Sequence, residues 1–332
     1  MKKRKKKINK KQRIAGLALL VLLLFLLGAM ALSLLLGSVF ISPENLWQSE
    51  ILWQIRLPRV VLAALVGLLL SLSGVILQGV LRNPLADPYI LGISAGGAVG
   101  AAISIALGAQ FVIFGLSSLP VTAFIFSLVA VFVVYKLSQV GGHAAPETLI
   151  LAGVALSAFC AAILALIIIV SGSLQTIYFW LLGSLASASW SNVITVIPYA
   201  LIGAGIAYFF SKELNALLLG EEMAITLGIE VEKTRLMLIG AASVMTAAAV
   251  SVSGLIGFVG LIVPHWIRLI IGPNHRLLIP VSALSGMLLM VVADTISRTI
   301  LSPLEIPIGI IMALVGAPFF LYLLRRRRIR GK

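Results

Sequence analysis

Residues 57–81 read LPRVVLAALVGLLLSLSGVILQGVL, and Arg59 is the only charge among them. A hydrocarbon core about 30 Å thick is crossed by about 20 apolar residues in helical form. This run is long enough to cross, and its continuity separates it from the short alternating segments of a transmembrane β-barrel. Comparable runs lie at about 14–41, 89–108, 111–136, 147–170, 190–211, 234–253, 255–272, 278–297 and 306–324. With the first they make ten. Of the 332 residues, 61% are hydrophobic and 11% charged, whereas soluble domains are nearer half apolar and a quarter charged. The composition predicts an all-α, polytopic membrane protein of about ten transmembrane helices. It argues against a secreted protein, a cytosolic enzyme or a single-anchor receptor.

The domain plan is simple. A basic segment spans 1–13, a single ten-helix domain spans 14–324, and a basic tail spans 325–332. Nine of the first thirteen residues are Lys or Arg. This start, with the small residues Ala29 and Ala31, imitates a secretory signal and its cleavage site. The apolar run continues about ten residues past them, which favours a retained helix.

The formal net charge of +14 would suggest nucleic acid in a soluble chain. Here the charges cluster at the termini and in a few loops, the pattern of topology control and contact with anionic lipid. With the N-terminus in the cytoplasm and ten alternating spans, all but three of the 25 basic residues fall inside. Both termini and Lys212–Arg235 are then cytoplasmic, and Ser42–Glu50 is external. The three exceptions are Arg56, Arg59 and Arg298. Arg56 and Arg59 share a helix face at i, i+3 spacing, and Pro58 suits a first helical turn. Two readings stay open for the three: snorkelling to outer headgroups, or a docking surface for an acidic partner.

Chemistry is sparse. The single cysteine, Cys160, excludes an intramolecular disulfide, and His143, His265 and His275 lack metal-ligand spacing. No metal or cofactor is expected. There is no G-x-x-x-x-G-K-[ST] phosphate loop, so active transport would need energy from another subunit. Asp294 lies four residues before Arg298, an intrahelical pair. A proton-coupled carrier places ionisable groups mid-span, a pattern the other acids do not show. Gly92, Gly96 and Gly100 share one helix face, with Gly97 adjacent, and small residues so spaced let helices approach closely. The stretch from Arg82 to Pro88 holds Pro84 and Pro88 and must be irregular. It is either a plain tight loop or a gate. In Lys212–Arg235, Gly220 and Gly228 bound two short amphipathic pieces, about Glu213–Leu219 and Glu221–Leu227, each opened by acids that suit a helix N-terminus. Their apolar residues must rest on the membrane surface or on another protein.

Several stretches taken together resemble the permease subunits of type II ABC importers for iron–siderophore complexes, haem and vitamin B12. They are Arg56-Leu-Pro-Arg59, the run from Gln78 to Gly92, Leu151-Ala-Gly-Val154, Trp180-Leu-Leu-Gly-Ser-Leu185, Leu219-Gly-Glu with Leu227-Gly, Gly257 to Arg268, Ala293-Asp294 with Arg298, Leu304 to Gly309, and Gly316-Ala-Pro-Phe-Phe320. The resemblance implies no catalysis by this chain. It implies inverted-related blocks of spans 2–5 and 7–10, a second permease copy (a homodimer, since one ten-span unit is present), two cytoplasmic ATPase subunits and an external binding protein. It assigns ATPase coupling to Leu219, Gly220, Glu221, Glu222, Leu227 and Gly228. It assigns docking of the binding protein to Arg56, Arg59 and Arg298. Asn83, Pro84 and Leu85 match a cytoplasmic gate, and Gly142–Glu147, with Pro146 and Glu147, matches a second by position. The expected cargo is an iron chelate, siderophore or haem, moved across a bacterial cytoplasmic membrane. Cobalamin is the alternative cargo, and a proton-coupled secondary transporter is the alternative class.

Overall fold

The computed structural model describes residues 2–37, 48–113, 115–140 and 143–330. Among them are thirteen α-helices: α1 (Lys2–Leu35), α2 (Leu57–Val80), α3 (Ile93–Ala106), α4 (Ser118–Ser138), α5 (Pro146–Ser171), α6 (Leu174–Leu181), α7 (Trp190–Phe209), α8 (Ser211–Leu217), α9 (Glu221–Thr226), α10 (Val231–Ser253), α11 (Val259–Ile271), α12 (His275–Thr299) and α13 (Ile308–Arg330). A π-helical turn, Ile51–Arg56, leads into α2, and a 3₁₀ turn, Pro88–Leu91, precedes α3. Two antiparallel pairs of two-residue strands complete it: β1 (Val112–Ile113) with β2 (Leu116–Ser117), and β3 (Gln139–Val140) with β4 (His143–Ala144).

Seven helical stretches are long and apolar enough to cross a membrane, and three shorter apolar ones lie at Ile93–Ala106, Val259–Ile271 and Ile308–Tyr322. Each of these ten falls on one of the ten apolar runs in the sequence. The boundaries differ in places for local reasons. The run starting at 111 opens on the β1–β2 hairpin, and its helix begins only at Ser118. The run starting at 89 opens on the 3₁₀ turn. The first run extends as helix backwards to Lys2 and stops at Leu35. Residues 42–47 of the expected external loop, and Gly142 of the second gate, lie outside the described residues.

The core is built around α2. It packs on α7, α10, α11 and α12, and its residues from Leu69 to Val80 are all buried. This is why its sequence is apolar on every side, as a fully enclosed helix requires. Close approach is set by glycine. A Cβ on Gly67 of α2 would collide with the Gly286 carbonyl of α12, and one on Gly286 with that of Gly67. Gly96 and Gly100 do the same for α3, facing the carbonyls of Phe126 and Thr122 on α4. Gly92, placed on that stripe by spacing, instead caps α3 with φ +76°. By contrast α5 turns most of its apolar length outward, with Leu151, Phe159, Ile169 and Val170 exposed.

Candidate functional site: two charged ends of a helical bundle

The last turn of α1, the start of α2 and the end of α12 meet at one end of the bundle. Arg56, Arg59 and Arg298 converge there, but they do not form an open basic surface. They are 4%, 6% and 4% exposed, and their guanidiniums are engaged by groups of the chain itself. The reason is local chemistry. The last carbonyls of α1 have no intrahelical donors, and Arg56 Nη1 donates to Leu34 O and Leu35 O at 2.7 and 3.0 Å. Arg298 donates to Leu36 O at 2.8 Å, and to the carbonyl and hydroxyl of Ser33.

Arg59 points at carboxylates. Its Nε lies 2.9 Å from Asp294 Oδ1, and its Nη1 lies 3.0 Å from both oxygens of Glu305. The intrahelical Asp294–Arg298 pair is present at 3.5 Å, yet Arg59 is the closer partner of Asp294. Glu305 and Ser33 were not singled out by sequence reasoning. Nothing local marks them, because their partners are hundreds of positions away.

The opposite end carries the segment between α7 and α10. It forms two short helices, as the glycines and acids predict. Gly220 holds φ +111° and caps α9, a backbone region that favours glycine. Helix α8 is anchored: Leu214 and Leu217 are buried, and Asn215 Oδ1 accepts from the backbone N–H and ring Nδ1 of His275, at 2.9 and 3.0 Å. Beyond it the chain presents apolar residues to the outside. Leu219 is 67%, Ile225 62% and Leu227 59% exposed. With Met223, also exposed, four such residues on one short segment form a patch that singly scattered leucines do not.

The turn after α2 lies against this segment. Arg82 has φ +50°. Asn83 Oδ1 accepts from Leu85 N–H at 3.0 Å, and Ala86 N–H donates to Asn83 O at 3.0 Å, so side chain and backbone both close the turn. Asp87 Oδ1 accepts from Tyr89 N–H at 2.8 Å and caps the 3₁₀ turn. Desolvation raises the Asp87 carboxyl from 3.8 to about 6, with the Tyr89 N–H pulling it the other way. Tyr89 carries the turn to the other half of the chain: its hydroxyl donates to Ile256 O and accepts from Ile256 N–H at 3.0 and 2.9 Å.

Pro146 and Glu147 open α5 directly after β4. With Arg82, Ala145, Leu219, Gly220, Glu221, Glu222, Met223 and Thr226 they line an open cleft of about 700 Å³. The structure therefore gathers Pro146, Glu147, Leu219, Gly220, Glu221 and Glu222 at one place, beside the residue that precedes Asn83. Leu227 and Gly228 lie at the far end of α9 and do not line the cleft. Gly92-Ile-Ser-Ala-Gly96 has the G-x-S-x-G spacing of a hydrolase elbow, but that motif needs a strand before the turn. Here a 3₁₀ turn precedes it. Among the described residues there is no cluster of three or more metal-ligating side chains.

The comparisons agree with this architecture. The profile of the FecCD transport family matches residues 21–326. The chain is 47% identical over 278 residues to the cobalamin import system permease protein BtuC of Halobacterium salinarum, covering 83% of this chain and 74% of that protein. It is 40% identical to the hemin transport system permease protein HmuU of Yersinia pestis, over 94% of this chain and 95% of that one. A solved metal-chelate-type ABC transporter in an inward-facing conformation superposes with a TM-score of 0.84 at 35% identity, over 94% of this chain and 99% of that chain. A predominantly helical bundle with seven apolar helices long enough to cross a membrane and three shorter ones, and a family match across nearly its whole length, leave one conclusion: the chain is a membrane permease that belongs to the FecCD transport family.

Proposed function

We propose that the chain is the permease subunit of an ATP-driven type II importer that moves an iron chelate, siderophore or haem, into the cytoplasm. Two copies form the pathway, two ATPase subunits bind at the Glu221 end, and an external binding protein delivers the cargo at the Arg59 end. Both termini then lie in the cytoplasm of a bacterial cell, consistent with the concentration of basic residues there. The observation that carries the reading is the α8–α9 segment, whose exposed Leu219, Ile225 and Leu227 sit beside the cleft lined by Pro146 and Glu147. An apolar face held outside the membrane by a buried anchor suits insertion into a groove on a soluble partner.

In this reading Leu219, Gly220, Glu221, Glu222, Leu227 and Gly228 couple to the ATPase. Asn83, Pro84, Leu85, Pro146 and Glu147 shape the cytoplasmic gate. Arg56, Arg59 and Arg298 receive carboxylates of the binding protein, which must compete with Asp294, Glu305 and the end of α1 for those guanidiniums. Cobalamin is a second reading of the cargo, favoured by the 47% identity to a permease named for cobalamin import. The test is titration of the cognate binding protein with haem, a ferric hydroxamate and cyanocobalamin, followed by uptake of the ligand that binds. Uptake of an iron chelate supports the leading assignment. Tight binding and uptake of cyanocobalamin alone replaces it.

A further inference from the structure

Glu221 is the meeting point of two arginines from different parts of the chain. Arg82 Nη2 lies 2.9 Å from Glu221 Oε1, and Arg235 Nη2 lies 2.5 Å from the same oxygen. Arg235 is nearly fully buried on α10. Its Nη1 also reaches Glu232 Oε1 at 2.5 Å and donates to Ala144 O at 3.0 Å. Ala144 belongs to β4, immediately before the residues that open α5. One unbroken path therefore runs from Arg82 through Glu221 and Arg235 to Ala144. It joins the turn at Asn83 and the loop at Pro146 to the first residue of α9.

Stability alone does not account for Arg82. Its pair with Glu221 is about two-fifths exposed on both sides, and exposed ion pairs contribute little. Its backbone is left-handed, a conformation that asparagine or glycine takes more readily. An arginine there costs strain and gains mainly a tie to α9.

We infer that Arg82 and Arg235 are positioning residues that pass displacement of the coupling segment to both gate elements, with Glu221 as their shared carboxylate. The inference rests on the permease reading above. Because one carboxylate oxygen serves both arginines, α9 cannot shift without changing both contacts together. The two gate elements are thereby moved as a pair. Charge-assisted bonds of this length are short-ranged and directional, so a neutral side chain of similar size at either arginine breaks the tie without removing the apolar docking face.

The experiment uses the complete transporter in membranes, with Cys160→Ser and a single cysteine at Leu85 as a reporter. Labelling by a permeant maleimide is compared without nucleotide and with ATP plus orthovanadate. With the native arginines, labelling of the reporter differs several-fold between the two states. Arg82→Gln is expected to co-purify with a normal amount of ATPase and to hydrolyse ATP, yet to lose most of that difference. Arg82→Lys retains most of it. Arg235→Gln is expected to match Arg82→Gln, but the Arg82 variant carries the test because that side chain is exposed. An unchanged labelling difference in Arg82→Gln overturns the inference. So does loss of the ATPase from Arg82→Gln, which would place Arg82 on the docking face. Failure of the native chain to co-purify with any ATPase would refute the permease reading itself, and the inference with it.

Discussion

Arg59 Nε, in the first turn of α2, lies 2.9 Å from Asp294 Oδ1, near the end of α12. The two residues are 235 positions apart, and Asp294 is fully buried. The pair closes one end of the central helix against the helix on which it packs most extensively.

Removing one member of a buried pair costs about 3–5 kcal/mol, because the other is left uncompensated. Asp294→Ala is therefore expected to lower the thermal midpoint of the detergent-solubilised permease sharply. Glu230→Ala breaks only the exposed contact with Lys233, at 3.5 Å, and should cost under about 1 kcal/mol. Fluorescence-detected thermal unfolding of both variants checks this. Equal midpoints would show that the Arg59–Asp294 contact contributes no more than a surface pair.

The Asp87 carboxyl makes stability depend on pH in a specific sense. Its value is raised on folding, from 3.8 to about 6, so the folded chain holds the proton more tightly. The stability gained from the protonated form is complete below about pH 4 and is lost as pH rises through about 6. Asp87→Asn keeps the acceptor for Tyr89 N–H and removes the ionisation. It is expected to flatten the pH dependence between about 4 and 6 and to raise the thermal midpoint at neutral pH. A variant with the native pH profile would assign that dependence to other groups.

Much of this was legible in the sequence, and the division has a physical basis. The ten crossings are visible because hydrocarbon demands long continuous apolar runs. The two-piece segment is visible because Gly220 and the acids at 221 and 222 are local signals for a break and a helix start. The run from 111 reads as helix in the sequence, since a short apolar stretch carries no period that distinguishes strand from helix, yet 112–113 and 116–117 pair as strands. The Asp294–Arg298 pair follows from i, i+4 spacing, whereas Arg59–Asp294 and Arg82–Glu221 depend on how helices pack. Burial of the three arginines was missed for the same reason. Charge counting places them at one end but cannot show that the end of α1 supplies them with carbonyls.

Coupling to the ATPase is expected to depend on the exposed apolar residues of the α8–α9 segment. Leu219→Glu and Leu227→Glu change side chains that touch little within the chain, so folding should be retained. Loss of more than about 1.4 kcal/mol of binding is a tenfold loss of affinity, and each variant should reach that in a co-purification titration. Gly220→Pro should be more severe, because proline fixes φ near −65° where the chain needs +111°. Native association in all three would make the segment a membrane-surface connector.

Orientation is checked with single cysteines in the Cys160→Ser background. Lys233 and Glu50 are both exposed and lie at opposite ends of the bundle. An impermeant maleimide applied to intact cells should label position 50 and spare position 233. In inside-out vesicles the pattern should invert. Labelling of both from the same side would require an even number of crossings between them, against the five of this account.

The source of energy is the most direct test of the whole account. The permease, its ATPase and its binding protein are reconstituted in sealed proteoliposomes, and accumulation of the bound ligand is followed with ATP on the ATPase side. Uptake is expected to require ATP, to stop with orthovanadate and to persist when an ionophore collapses the proton gradient. Uptake that proceeds without ATP and ceases with the gradient would contradict the account and establish a proton-coupled carrier.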